Sequence, residues 1–147
     1  MNKEIKYRLI KHITFLENEL NDYEIFKALS WDEYNKDRSR RRDVERWIEN
    51  IVNSSIDISK IILFSEKKTL PDTYKDIIAF LALLPDFNED NVKKLAECVK
   101  LRNIISHEYL DIKWLPIKRF ISESKPLYED FLKQVKDYLE KKLREGD

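Results

Sequence analysis

One glycine, Gly146, occurs in the whole chain, close to its C-terminal end. A Walker loop, a dinucleotide fingerprint and a kinase glycine loop each need glycines, because only a residue without a Cβ lets the backbone approach phosphate closely. None of these can be built here, and most nucleotide-driven enzyme classes are thereby removed. Cysteine is just as scarce. Cys98 stands alone, so no intrachain disulfide framework exists, and the thiol reads as a small buried hydrophobe in a cytoplasmic protein. No run of about 18 apolar residues is present, so no transmembrane helix is expected. The N-terminal "MNKEIKYRLI" lacks the apolar stretch of a secretory signal. Net charge is missing too. The 28 basic residues balance 28 acidic ones, so attraction to nucleic acid or anionic membrane has to come from local patches.

Histidine is limited to His12 and His107, and no histidine, cysteine or carboxylate spacing suggests a metal site. Glu17, Glu19 and the other dispersed acids lack histidine partners. Ser65 in "FSEKK" has no base or oxyanion context and is no nucleophile candidate. No cofactor is expected. His12, one place from Ile13, reads as an ordinary surface or edge histidine.

What the chain does have is helical periodicity. Its 147 residues fit one domain, 1–147, with 42% hydrophobic and 38% charged residues, the mix of long helices laced with charge. Leu9, Ile13, Leu16, Leu20 and Tyr23 recur at steps of three and four, which predicts a helix over residues 5–29. "SWDE" has the form of a capping box, Ser30 with Glu33, and predicts a second long helix whose buried face is Val44, Trp47, Ile48, Ile51, Ser55, Ile58 and Ile62. Pro71 ends that region. A short apolar helix is expected over residues 73–84, and Asn88 or Asp90 can cap a fourth from about residue 89 to 109. A fifth should begin near Pro116 and be kinked or restarted at Pro126. Phe131, Leu132, Val135, Tyr138 and Leu139 supply the final apolar face. With no strand-like alternation and no repeat, the expected fold is all-α, an antiparallel bundle of roughly four to six helices.

One stretch breaks the apolar pattern. The fourth helix should bury Val92, Leu95 and Val99, and the same line at about 100° per residue continues to Arg102, Ser106 and Tyr109. Asn103 and His107 lie beside it. Burying an arginine without a partner is costly, so this face must meet a counter-charge, a ligand, a cleft or another subunit. A structural ion-pair network would also satisfy it.

"RNIISHEY" resembles the R-x4-H-x-Y motif of the HEPN superfamily, in the form carried by HepT toxins of HEPN/MNT toxin–antitoxin pairs. Arg102, His107 and Tyr109 fall on the three fixed positions, and Asn103 on the residue that usually follows the arginine. The order "RRDVERWIENIVNSSIDISKIIL", "LPDTYKDIIAFL", motif and "YLDI" extends the resemblance over about residues 40 to 143. Lys113 departs from it, standing where many relatives carry an acidic residue. The resemblance implies a metal-independent endoribonuclease of a type VII-like module, acting as a homodimer whose motif helices meet across the interface. Arg102 and His107 would be catalytic and Asn103 would position substrate. The partner would be an MNT-type nucleotidyltransferase antitoxin that attaches AMP to Tyr109. These residue types suit the chemistry: histidine can act as base or acid near neutrality, and arginine suits bidentate phosphate contact.

Elsewhere, "KDRSRRRDVER" carries six basic and three acidic residues. Arg38, Arg40, Arg41 and Arg42 can track an RNA backbone, but Asp37, Asp43 and Glu45 dilute the run, and a solvated helix face is the simpler reading. Arg41, Asp43 and Arg46 are candidates for RNA binding or support, and Asp43, Glu45 and Arg46 for counter-charges to the motif helix. Trp31, Trp47 and Trp114 can stack on bases, with core packing the default for each. The competing functional class is a non-catalytic helical module that docks a nucleotidyltransferase or a nucleotide through the same residues.

Overall fold

The computed structural model describes every residue except Tyr109, Asp111, Ile112 and Asp147. Among the described residues the regular structure is helical throughout, which agrees with the expected all-α class. Helix α1 spans Lys3–Leu20 and is capped by Asn2, whose side chain accepts from the Ile5 amide. It stops at Asn21, and a single turn, α2 (Tyr23–Phe26), follows. The helix expected over residues 5–29 is therefore two, broken at the polar "NEL NDYE" segment.

The capping box at Ser30 and Glu33 is present, but it starts only a short helix, α3 (Trp31–Lys36). Asp37 then leaves helical geometry and caps α4, Arg38–Ser65, accepting from the Ser39 and Arg40 amides at 3.0 and 3.2 Å. A side chain that can bond its own downstream amides offers the backbone a way out of the helix. The expected second helix is divided at that residue.

α4 is the central element. Its 28 residues reach about 42 Å at 1.5 Å each. Val44, Ile48, Ile51, Ile58 and Ile62 are fully buried. Trp47 packs edge-on against Tyr23 and Phe120 and donates its indole N–H to the Glu19 carbonyl at 2.8 Å. Ser55 and Ser59 are buried without desolvated hydroxyls, because each donates to a backbone carbonyl of α4 itself, Val52 and Ser55, at 2.7 Å.

α1 packs along α4, and two contacts fix the direction. Trp47 meets Glu19, and Ser54 donates to the His12 carbonyl at 3.5 Å. Moving forward on one helix moves backward on the other, so the pair is antiparallel. Beyond Pro71, α5 (Tyr74–Ala79) is capped by Thr73 and runs into a 3-10 turn at Phe80–Leu83. Helix α6, Glu89–His107, carries the motif. α7 (Trp114–Glu123) and α8 (Lys125–Glu145) close the bundle, with Pro126 in the first turn of α8 where its missing amide does no harm. Pro126 thus restarts the chain as a new helix. Tyr128, Phe131 and Val135 of α8 are fully buried against the core.

Trp114 lies 5.5 Å from the Tyr34 ring and 6.4 Å from Trp31, so two of the three tryptophans, Trp47 and Trp114, are packing residues. Cys98 is half-buried, and burial raises its thiol pKa. No described helix is long and apolar enough to cross a membrane.

Candidate functional site

Asn88 starts α6 by accepting from the Asn91 amide at 2.9 Å, which sets the phase of everything after it. In that phase Val92, Leu95, Ala96 and Val99 enter the core. Continuing the stripe, Arg102 and Ser106 arrive half-buried against α4. Arg102 Nε donates to Asn53 Oδ1 at 2.9 Å, and Ser106 Oγ donates to Glu49 Oε2 at 3.0 Å. Each helix is stepped by four residues in opposite senses, so α6 runs antiparallel to α4. The polar end of α6 therefore faces a polar strip of α4, one turn after both helices have been apolar to each other.

The surroundings of Arg102 decide what it can do. Its Nη1 donates to Asn103 Oδ1 at 3.0 Å, and its guanidinium carbon sits 5.2 Å from the centre of the Tyr74 ring. Lys60 Nζ lies 4.9 Å from the same ring. Every one of these Arg102 partners is neutral. Among the described residues no carboxylate pairs with Arg102, so its position is fixed while its charge stays uncompensated. A cation held this way suits a phosphate oxygen on its remaining N–H groups. His107, the last residue of α6, is exposed, as is Asn103. Five residues separate His107 from Arg102, which sets the two side chains about 140° apart around the helix. Within one chain they do not face a common point. Tyr109 lies outside the described residues, and so does its relation to Arg102.

The sequence places the counter-charges for α6 too early on α4. Asp43, Glu45 and Arg46 make none of the recorded bonds to α6. The bonds come from Glu49 and Asn53, one and two turns further on. Glu45 instead accepts from the Tyr34 hydroxyl at 2.6 Å. Arg41 is turned inward, its Nε and Nη2 donating to the carbonyls of Tyr34 and Asn35 at 3.1 and 2.7 Å. Asp43 and Arg46 line a shallow hollow of about 510 Å³ that also includes Glu49, so they adjoin the end of α6 without bonding it. Asn53, Glu49 and Tyr74 carry no sequence signal of their own. They are identified only by which helix faces which. The roomiest hollow, about 720 Å³, is lined by Leu101, Ile104 and Phe120, and it opens on another flank of α6 from Arg102. Among the described residues no cluster of histidine, cysteine and carboxylate side chains could hold a metal ion.

The sequence profile of the HepT-like ribonucleases matches residues 10–135. The chain belongs to the HepT-like ribonuclease family. Solved structures agree at the level of fold. A tri-AMPylated Shewanella oneidensis HEPN toxin in complex with its MNT antitoxin superposes with a TM-score of 0.78 at 20% identity, over 93% of this chain and 99% of that one. YutE of Bacillus subtilis, a cytosolic protein of unknown function, gives 0.78 at 18% identity over 92% and 90% of the two chains. A toxin–antitoxin structure with AMP-PNP gives 0.78 at 17% identity over 88% and 97%. No curated protein matches the chain. In this HepT-like chain the family's motif region is the α6 end just described, where a neutral cradle holds an arginine and the next turn exposes a histidine.

Proposed function

We propose that this protein is the endoribonuclease toxin of a toxin–antitoxin pair, cleaving RNA without a metal ion. The observation that carries the reading is the state of Arg102: bonded by Asn53 and Asn103, lying against Tyr74, and unpaired with any described carboxylate. Family membership supports ribonuclease chemistry, and the HEPN toxin complexed with an MNT antitoxin supports the toxin role.

The reaction is transesterification. The 2′-hydroxyl oxygen attacks the adjacent phosphorus, the bond from phosphorus to the 5′-oxygen breaks, and a 2′,3′-cyclic phosphate and a 5′-hydroxyl result. A base takes the proton from the 2′-hydroxyl and an acid returns one to the 5′-oxygen. Imidazole can do either. Arg102 supplies fixed positive charge to the phosphorane, stabilising it more than the ground state. One His107 per chain cannot comfortably serve both proton transfers. A homodimer that apposes two α6 ends brings two histidines and two arginines to one phosphate, which also accommodates the divergence of Arg102 and His107 within one helix. Asn103, exposed and bonded to Arg102, positions substrate.

Control follows from the same electrostatics. AMP attached to Tyr109 by a nucleotidyltransferase antitoxin would set phosphate charge near the arginine and compete with the scissile group. Purified protein, treated with chelator, should cleave RNA. His107→Ala should abolish cleavage with helix content unchanged, and full activity in that variant would refute the assignment. Arg102→Ala separates this reading from a docking module: cleavage that survives it leaves the motif without a catalytic role. Tyr109→Phe should cleave RNA yet gain no AMP mass after incubation with the antitoxin and ATP. Unchanged modification would refute the tyrosine as the target.

A further inference from the structure

The face of α4 that holds Arg102 has a second neighbour. Between α1 and α4 lies a hollow of about 500 Å³, within the range of small-molecule sites, and Asn53 is part of its wall. The hydrogen-bond acceptor of Arg102 therefore stands between the motif helix and this hollow. From α1 it is lined by Arg8, Lys11, His12 and Phe15, which repeat at steps of three and four and so share one flank of the helix. Arg8, Lys11 and Phe15 are exposed, Phe15 at 42%, and Asp57 is the one carboxylate in the wall. Lys11 Nζ lies 5.3 Å from the centre of the Tyr7 ring, so a further aromatic borders the cations. His12, unremarkable in the sequence, belongs to this group because Ser54 takes the His12 carbonyl as its acceptor and fixes that turn of α1 on α4.

Two flexible cations, an imidazole and an exposed phenyl ring next to a phosphate site are the parts of a single-strand RNA groove: charge for the backbone, a ring for a base. We propose that this hollow seats a nucleotide of single-stranded RNA flanking the one whose phosphate Arg102 holds. Arg8 and Lys11 contact its phosphate, and the Phe15 ring stacks on its base. The proposal rests on the ribonuclease reading and deepens it by making the substrate a single strand that lies across α4.

The test is binding of a 2′-O-methyl oligonucleotide, which the enzyme cannot cleave, followed by fluorescence anisotropy over a range of salt. Each lost phosphate contact lowers the salt slope by about 0.7 for a single strand, so Arg8→Ala with Lys11→Ala should lower it by about 1.4 and weaken binding. Phe15→Leu keeps an apolar side chain and should weaken the single strand by about tenfold, while a blunt RNA duplex, whose bases are stacked internally, is unaffected. All three side chains are exposed, so thermal melts should coincide with that of the unaltered protein. An unchanged slope and affinity in the double variant overturns the proposal, as does an equal loss for duplex and single strand in Phe15→Leu. Absence of RNA cleavage by the unaltered protein refutes the ribonuclease reading and this inference with it. Cleavage with unchanged binding refutes the inference alone.

Discussion

Asn53 offers a substitution series in which stability and activity should move in opposite directions. Its Oδ1 accepts from Arg102 Nε at 2.9 Å, a hydrogen bond from a charged donor at a half-buried position. Such bonds contribute roughly 1.5–3 kcal/mol, and partial exposure favours the lower part of that range. If the bond serves to aim the guanidinium, Asn53→Ala should lower kcat/KM by about tenfold, since 1.36 kcal/mol corresponds to a factor of ten. Asn53→Asp is the sharper case. It changes one amide nitrogen for an oxygen, keeps the acceptor and adds an ion pair with Arg102, so the folded state should melt no earlier than in the alanine variant. The new charge would lie about 7 Å from a phosphate on the far edge of the guanidinium. At an effective dielectric of about 20, that repulsion is about 2 kcal/mol, or some thirtyfold, beyond the partial neutralisation of Arg102. Initial rates on RNA, with thermal melts and circular dichroism as controls, make the comparison. An aspartate variant as active as the unaltered protein would show that the neutrality of the cradle is irrelevant, and the argument from Arg102 would fail.

The packing and the pH response give two further tests. Ile51 is fully buried on the central helix, so Ile51→Ala should destabilise the fold by about 2–5 kcal/mol in chemical denaturation; a loss below about 1 kcal/mol would mean that the site collapses around the deletion. Glu66 is pushed up by partial burial, but hydrogen bonds from Lys142 at 2.9 Å and Tyr138 at 2.6 Å outweigh this and hold its pKa below the ordinary value. A carboxylate lowered in the folded state stabilises it above the unfolded-state pKa, and that contribution fades as pH falls through the folded value. Glu66→Gln should thus be less stable than the unaltered protein at neutral pH, with the gap closing toward roughly pH 3. A gap that stays constant over that range would count against the assignment.

Periodicity made the buried faces legible. The stripe from Val44 to Ile62, the Val92–Val99 face and the Phe131–Leu139 face all lie in the core, because a helix repeats every 3.6 residues whatever surrounds it. The break points were less legible. Ser30 signals a helix start correctly, yet Asp37, seven residues later, starts the long helix, because a competing cap is visible only once the backbone has turned there. At the candidate site, "RNIISHEY" singled out Arg102 and His107, and the family profile covers that segment.

By itself, then, the sequence determined the all-helical class, the faces that seek the core and the helix end where polar residues interrupt them. Those are properties of local spacing and residue chemistry. Only the tertiary structure decided that Asn53 and Glu49, rather than Asp43, Glu45 and Arg46, meet that helix end, and that His12 shares a wall with the partner of Arg102. Which residues meet across two helices depends on their relative direction and register. In this bundle those are set by many weak apolar contacts acting together, and no short stretch of the chain encodes them.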